Sequence, residues 1–230
     1  MTHLSGQERA RYVQSMFTRI AHHYDLMNRL MTGGQDLRWR KTVIQLAGLK
    51  PNASLLDLGT GTGDLAREAL TQQPQARVTA ADFTIEMMRV GRKPGDPPFS
   101  SADALNLPFK DSTFDAVISG FLMRNVVNVN LALKEQYRTL KPGGRIVILD
   151  TTRPKKNLLS PFIWIHMHVV IPILGGLLSG FKDAYNYLPD STEGFLTAEE
   201  LASHMSTAGF KNVNFKRLMF GTIAIHHGEK

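Results

Sequence analysis

Residues 54–64 read Ser-Leu-Leu-Asp-Leu-Gly-Thr-Gly-Thr-Gly-Asp, and this stretch constrains the fold more than any other. Ser54–Leu58 is an apolar run too short for a helix and is bounded at once by glycine, the pattern of a strand buried in a parallel sheet. Gly59, Gly61 and Gly63 then alternate along a loop that opens into a helix from Asp64. Glycines at such a strand–helix junction let the backbone turn sharply and lie close against a ligand, because no Cβ stands in the way.

The same theme recurs along the chain. Arg77–Asp82 is a second run, with a helix expected from Thr84; Phe114–Ser119 is a third, followed by a helix over Asn130–Leu140. Lys141-Pro142-Gly143-Gly144 reads as a helix stop and tight turn, and Arg145–Asp150 as the next strand. Strands alternating with helices imply a parallel sheet covered on both faces, an α/β fold. Two helices precede it. Residues 7–22 carry Val13, Met16, Phe17 and Ile20 at three- and four-residue spacings, and Asp36–Ala47 follows the Gly33-Gly34 break. Near the end, a helix over Thr197–Ala208 stops at Gly209, and the runs Val213–Phe220 and Thr222–His226 are separated only by Gly221. Strands so close must be antiparallel, since a parallel crossover needs a dozen or more residues. The expected organisation is one domain over 1–230, with a helical cap at 1–50 and an apolar insertion at 153–196.

Acids mark the ends of successive strands. Asp57 lies near the end of the first, Asp82 ends the second, and Asp103 follows the next short one. In doubly wound folds ligands bind at the carboxyl ends of the strands, where an acid such as Asp82 accepts ribose hydroxyls. Asp57 suits the cationic end of a ligand, directly or through water, and Asp103 an adenine amino group. Each alone reads equally well as a loop carboxylate or helix cap; the three together, after a glycine loop, point to a nucleoside. A dinucleotide fingerprint asks for Gly or Ala at position 64, where Asp stands, and a carboxylate there would repel a pyrophosphate.

With Leu140-Lys141-Pro142-Gly143-Gly144, these residues resemble the class I S-adenosylmethionine-dependent methyltransferases, whose Rossmann-like sheet has seven strands and an antiparallel last strand. Tyr24-Asp25-Leu26-Met27-Asn28, Trp39-Arg40, Arg124-Asn125-Val126 and Tyr185-Asn186-Tyr187-Leu188 with Ser191 resemble, more narrowly, the ubiquinone/menaquinone biosynthesis C-methyltransferases, a likeness running from about Phe17 to Gly228. It implies S-adenosylmethionine held by Asp57, Gly59, Thr60, Gly61, Thr62, Gly63, Asp82, Phe83, Asp103, Ala104 and Gly120. It also implies a polyprenyl quinol precursor, of the demethylmenaquinol or ubiquinol type, as the acceptor. The chain departs from the pattern at Gly120 (usually serine), at Val127-Asn128, at Asp150-Thr151-Thr152 (usually Glu-Phe-Ser) and at Leu196 (usually proline). These departures are expected to cluster on the acceptor side.

Carbon methylation of a phenol needs a base, and few groups present themselves. Arg124 is too basic to accept a proton, so phenolate stabilisation or water positioning is its expected role, with Asn125 orienting that water. His168 is a histidine of suitable pKa range in the insertion; it and His166 are two residues apart and cannot share a helical face. Tyr24 either covers the cofactor or bonds the acceptor. The Tyr185/Tyr187 pair reads as structural, with Tyr185 able to line a pocket.

Asn157–Phe181 contains no Asp, Glu, Lys or Arg. A membrane-spanning helix there would leave the last two strands across the bilayer from the rest of the sheet, and Pro161, Pro172 and Gly175-Gly176 break it. Two short helices forming an apolar lid over the methyl donor are expected, with Lys155, Lys156 and Lys182 placed to meet anionic headgroups. The same residues would also serve as core or as a homodimer interface. Met1–Gln14 lacks an apolar segment, so a cytoplasmic location, peripheral on the inner membrane face, is expected. The net charge of +7 fits anionic partners, or solubility alone.

Other chemistry has less support. There is no cysteine, which excludes disulfides, thiolate metal sites and cysteine nucleophiles. His22-His23 and His226-His227 lack carboxylates at ligand spacing, so no metal is expected. Asp96-Pro97-Pro98-Phe99 matches a motif of base-methylating enzymes but precedes the Asp103 strand instead of following Val117–Ser119, so no nucleic-acid partner is expected. A different small phenolic or apolar acceptor is the main alternative, and a non-catalytic membrane adaptor the weakest.

Overall fold

The computed structural model describes residues 6–154, 160–173 and 182–230. Seven strands form one sheet: β1 (Ser54–Leu58), β2 (Arg77–Asp82), β3 (Phe99–Ser101), β4 (Phe114–Gly120), β5 (Leu140–Thr151), β6 (Lys211–Leu218) and β7 (Ile223–Glu229). Their order is β3-β2-β1-β4-β5-β7-β6. β1 to β5 run parallel, and β7 enters antiparallel between β5 and β6. The expected architecture, including the antiparallel last strand, is therefore present.

Alternation along each strand splits the core in two. Leu56, Leu58, Val117, Ile146 and Ile148 face one layer with Leu133 of α6 (Val129–Thr139) and Leu201 and Met205 of α9 (Ala198–Thr207). Leu55, Ile118, Val147 and Leu149 face the other, against Trp39, Val43 and Ile44 of α3 (Asp36–Ala47) and Leu65, Ala66 and Ala69 of α4 (Asp64–Gln72). Side chains of this kind, buried on both faces, are why these strands read as unbroken apolar runs.

Local chemistry sets the helix ends. α3 stops at Gly48, which turns left-handed (φ +61°) and returns its N–H to Ile44 and Gln45. Asn128 caps α6 by accepting from Leu131 N at 3.0 Å. Thr197 and Glu200 cap α9 reciprocally.

Three details depart from the sequence reading. The helix expected over 7–22 ends at Ile20 as α1 (Gly6–Ile20), and a single 3₁₀ turn leads into a further helix, α2 (Tyr24–Met31), that the spacing did not mark. Lys141–Gly144 does not lie outside the sheet: β5 starts at Leu140, and a register shift between Phe114 and Ala116 absorbs the extra residues. Gly143 and Gly144 instead exchange backbone hydrogen bonds of 2.9 Å with Lys230. The insertion contains α7 (Ser160–Ile165), a five-residue π turn (His166–Val170) and α8 (Lys182–Glu193). Lys155, Lys156 and Gly175-Gly176 lie outside the described residues, as do the side chains of Lys182 and Tyr185.

Candidate active site

Two cavities meet at the carboxyl ends of the parallel strands. The first, about 550 Å³, is a cleft over the glycine loop. Gly59 has φ +70°, and a Cβ there would stand 3.0 Å from Leu122; Gly61 has φ +56°, with Met87 3.5 Å from the same point. The loop is held by Asp82, which accepts from Gly61 N at 2.8 Å and from Thr84 N at 2.7 Å. Burial pushes the Asp82 carboxyl up, and these amide bonds oppose the shift.

Of the expected donor-binding residues, Gly59, Gly61, Asp82, Phe83, Asp103, Ala104 and Gly120 line this cleft. Asp57, Thr60, Thr62 and Gly63 do not; they hold the loop from behind. Thr60 Oγ1 donates to Asp57 Oδ2 at 2.6 Å, leaving Oδ1 buried without a partner. Desolvation by burial pushes the Asp57 carboxyl up to about 7. Thr62 Oγ1 donates to Asp25 Oδ1 at 2.7 Å, and Gly63 (φ +88°) stands at the N-terminus of α4.

Asp64 does not play the part expected of it. Its carboxylate pairs with Arg40 and, at 2.8 Å, with Arg67, so it is neutralised away from the cleft and does not discriminate against a pyrophosphate. Discrimination rests on the charged groups that do line the cleft, Asp82, Asp103 and Arg11. Two carboxylates at strand ends match hydroxyl and amino groups, and the partnerless Asp57 oxygen beneath the loop matches a cation. These residues fit a sulfonium nucleoside that lacks phosphates.

Sequence reading missed the cover of this cleft. Gln7, Ala10, Arg11, Gln14 and Phe17 of α1 lie over it, and Gln14 Nε2 donates to Phe83 O at 3.1 Å. The signal was the spacing of Gln7, Arg11 and Gln14, which share a helix face. Tyr24 also lines the cleft, edge-on to Phe17. Burial raises its phenol pKa, so its hydroxyl stays protonated at neutral pH and acts as a donor.

The second cavity, about 340 Å³, is walled by Met31, Phe121, Phe162, Ile163, Met167, Ile171, Met219, Phe220 and Ile223, with Asn28, Thr32, Arg124, Thr151, His166, Thr192 and Thr222 as its polar members. Phe121 lines both cavities and holds φ +59°, a conformation that costs a bulky residue energy and occurs where surrounding structure imposes it. Among the described residues, the insertion thus walls this second cavity, and α1, not the insertion, covers the donor cleft.

The two expected catalytic neighbours divide between the cavities. Arg124 lines the apolar one, its guanidinium 2.9 Å from Asp150 Oδ1 and 5.2 Å from the Phe121 ring centre. Asn125 lines the donor cleft; its Nδ2 donates to Phe121 O at 2.9 Å, and its Oδ1 accepts from Tyr187 at 3.1 Å. Tyr187 therefore ties α8 to the segment between the cavities.

His168 is misplaced by the sequence reading. It stacks on Trp164 at 4.8 Å and faces Glu193 at 3.3 Å, on the outer side of the insertion. His166, on the other face of the π turn, is the histidine that lines the cavity.

The departures from the family pattern also fall differently. Gly120 and Val127 line the donor cleft, Asn128 caps α6 and Leu196 packs on the core; of these positions only Thr151 lines the apolar cavity. Asp96 accepts from Arg67 at 3.1 Å and from Lys93 N at 2.7 Å, an anchor for its loop rather than a catalytic motif.

The profile of the ubiE/COQ5 methyltransferase family matches residues 3–230. The chain belongs to the ubiE/COQ5 methyltransferase family. Among its relatives, the ubiquinone/menaquinone biosynthesis C-methyltransferase UbiE of Desulfotalea psychrophila is 46% identical over 95% of this chain and 90% of its own. The demethylmenaquinone methyltransferase of Thermus thermophilus is 44% identical over 94% and 100%. In fold, this family member resembles phosphoethanolamine N-methyltransferase 2 of Haemonchus contortus in complex with S-adenosyl-L-methionine (TM-score 0.64, 15% identity, 84% of this chain and 52% of that one). It also resembles an S-adenosylmethionine-dependent methyltransferase of Thermotoga maritima (TM-score 0.64, 21% identity, 94% and 99%). The ubiE/COQ5 chain is an S-adenosylmethionine-dependent methyltransferase, and the donor is its cofactor.

Proposed function

We propose that this methyltransferase places a methyl group on a ring carbon of a polyprenyl quinol, of the demethylmenaquinol or ubiquinol-precursor type. The observation that carries the reading is the shared wall at Phe121: an apolar cavity, large enough for an aromatic ring, abuts the donor cleft through one side chain. Bound S-adenosylmethionine supplies an electrophilic methyl carbon. The chain supplies the rest. Asp82 and Asp103 hold nucleoside hydroxyl and amino groups, and Asp57 offers negative charge to the cationic end, directly or through water. The apolar wall excludes water, which strengthens every electrostatic interaction inside. Arg124 stabilises the ring oxygen as charge develops there, and Tyr24 and Asn125 bond groups at the boundary.

The lining favours a lipid ring over a soluble phenol or amine, for which nine apolar side chains would be wasted. Phe162 and Phe220 line the cavity yet are 71% and 70% exposed, and Trp164 beside them is 55% exposed. Exposed apolar side chains at a cavity rim suit a membrane surface that delivers a prenylated substrate. Among the described residues, no helix is long and apolar enough to cross a membrane, so peripheral contact is the mode proposed.

The test is methyl transfer from labelled S-adenosylmethionine to reduced demethylmenaquinone, a reduced ubiquinone precursor and a soluble catechol, with mass spectrometry locating the methyl group. A new ring-carbon methyl on a quinol is expected. Turnover of the catechol alone would replace the lipid substrate with a soluble one. Co-sedimentation with anionic vesicles, lost in Phe162→Ser/Phe220→Ser, tests the membrane contact.

A further inference from the structure

Buried polar atoms are almost always hydrogen-bonded, and each exception calls for a cause. The apolar cavity collects four among the described residues: Arg124 Nε, Thr151 Oγ1, His166 Nε2 and Thr192 Oγ1 are all buried without a partner. They come from four separate parts of the chain: the β4–α6 loop, the end of β5, the π turn and α8. Leaving each unbonded carries the full cost of its desolvation. A ligand that brings its own hydroxyl groups into this otherwise apolar space recovers that cost.

One of the four can take a proton. Guanidinium and hydroxyl groups cannot do so near neutrality, whereas an imidazole nitrogen can. His166 also sits at the start of a π turn, a local distortion of helix geometry often found at functional sites.

We infer that His166 is the proton acceptor for the ring hydroxyl of the methyl acceptor. The inference rests on the proposed quinol methylation and names the base for it. The hydroxyl O–H bond breaks and its proton passes to Nε2. The electron pair left on oxygen is delocalised to the ring carbon ortho to it, which forms the new C–C bond to the methyl group. The S–CH3 bond breaks and its pair returns to sulfur. The methylated carbon then loses its hydrogen as a proton to solvent, and His166 returns its proton to the ring oxygen, restoring the aromatic quinol. Among the described residues, the only other charged group lining the cavity is Arg124, already bonded to Asp150; Glu193 of α8 is engaged by His168 on the far side.

The experiment compares the full-length wild type with His166→Gln, His166→Ala and, as an outer-face control, His168→Ala. It measures donor affinity and the pH dependence of kcat with reduced demethylmenaquinone in detergent. Loss of a general base lowers kcat by about 100-fold or more. His166→Gln is expected to show that loss with donor affinity unchanged and without the acidic limb of the wild-type profile. Added imidazole is expected to restore turnover in His166→Ala, while His168→Ala keeps the wild-type profile. A His166→Gln enzyme that retains kcat and the acidic limb would overturn the inference while leaving quinol methylation in place. A wild type that binds donor but methylates no quinol would overturn both.

Discussion

Arg124 and Asp150 bond twice: Nη1 reaches Oδ1 at 2.9 Å and the Arg124 backbone amide reaches Oδ2 at 3.2 Å, with the two side chains 7% and 1% exposed. The side-chain bond fixes the guanidinium, and the backbone bond fixes the loop that carries it beneath the apolar cavity. Removing one partner of a buried pair strands the other charge at a cost of about 3–5 kcal/mol. Asp150→Ala is expected to lower unfolding stability by that order in denaturant titrations. Donor affinity should hold in calorimetry, since neither residue lines the donor cleft. Equal loss of donor binding and stability would show that the pair supports both cavities.

Asp57 gives donor binding a pH dependence. Burial holds its carboxyl near 7 in the free protein, so below that value it is mostly protonated. A cationic donor favours the ionised form, and binding must then expel the proton. Affinity for S-adenosylmethionine is expected to rise with pH up to about 7 and level off above it. Asp57→Asn should bind more weakly and lose the slope. A flat wild-type profile would mean that Asp57 does not sense the donor's charge.

His226 acts on acid stability. It is buried, its Nε2–H donates to Ala198 O at 2.9 Å, and burial depresses its pKa to about 4. Its unfolded value is near 6.5, so between those values the unfolded chain binds the extra proton. Stability is therefore intact above about 6.5 and declines as pH falls toward 4. A gap of this size corresponds to about 3 kcal/mol. His226→Gln should flatten that decline relative to wild type, a comparison that cancels the opposite trend from Asp57. Parallel acid limbs in both proteins would rule the residue out.

Gly59 is the tightest point of the loop. Its φ of +70° disfavours any side chain, and an added Cβ would stand 3.0 Å from Leu122. Gly59→Ala is expected to cost about 1–3 kcal/mol of stability and to weaken donor binding at least tenfold. Thermal denaturation and calorimetry read the two separately.

The fold was legible because its signals are local. Ser54–Leu58 followed by alternating glycines, the short spacing around Gly221 and the helix stop at Gly209 each imply a conformation from neighbouring residues alone. The site was legible only in part. Asp82 and Gly59 sit at strand ends, where topology brings them together. The cover supplied by α1, the Asp150 partner of Arg124 and the tie from Tyr187 to Asn125 join residues far apart in sequence, and no local pattern encodes them. The histidines show the limit most sharply. Spacing establishes that His166 and His168 point apart; only the packing of the π turn decides which one faces inward.

Among the described residues, Phe121 is the one that both cavities share. The ends of β1, β2 and β4, with α1, line the cleft over the glycine loop, while the insertion and the turn before β7 line the apolar cavity. The molecule is therefore modular in a specific sense. With the proposed quinol in the apolar cavity, substitutions in the insertion, or at Met219, Phe220 and Thr222, are expected to retune which ring is accepted without renegotiating how the methyl group is delivered. On that reading a lineage exchanges its substrate by rebuilding one wall, with Phe121 as the boundary left in place.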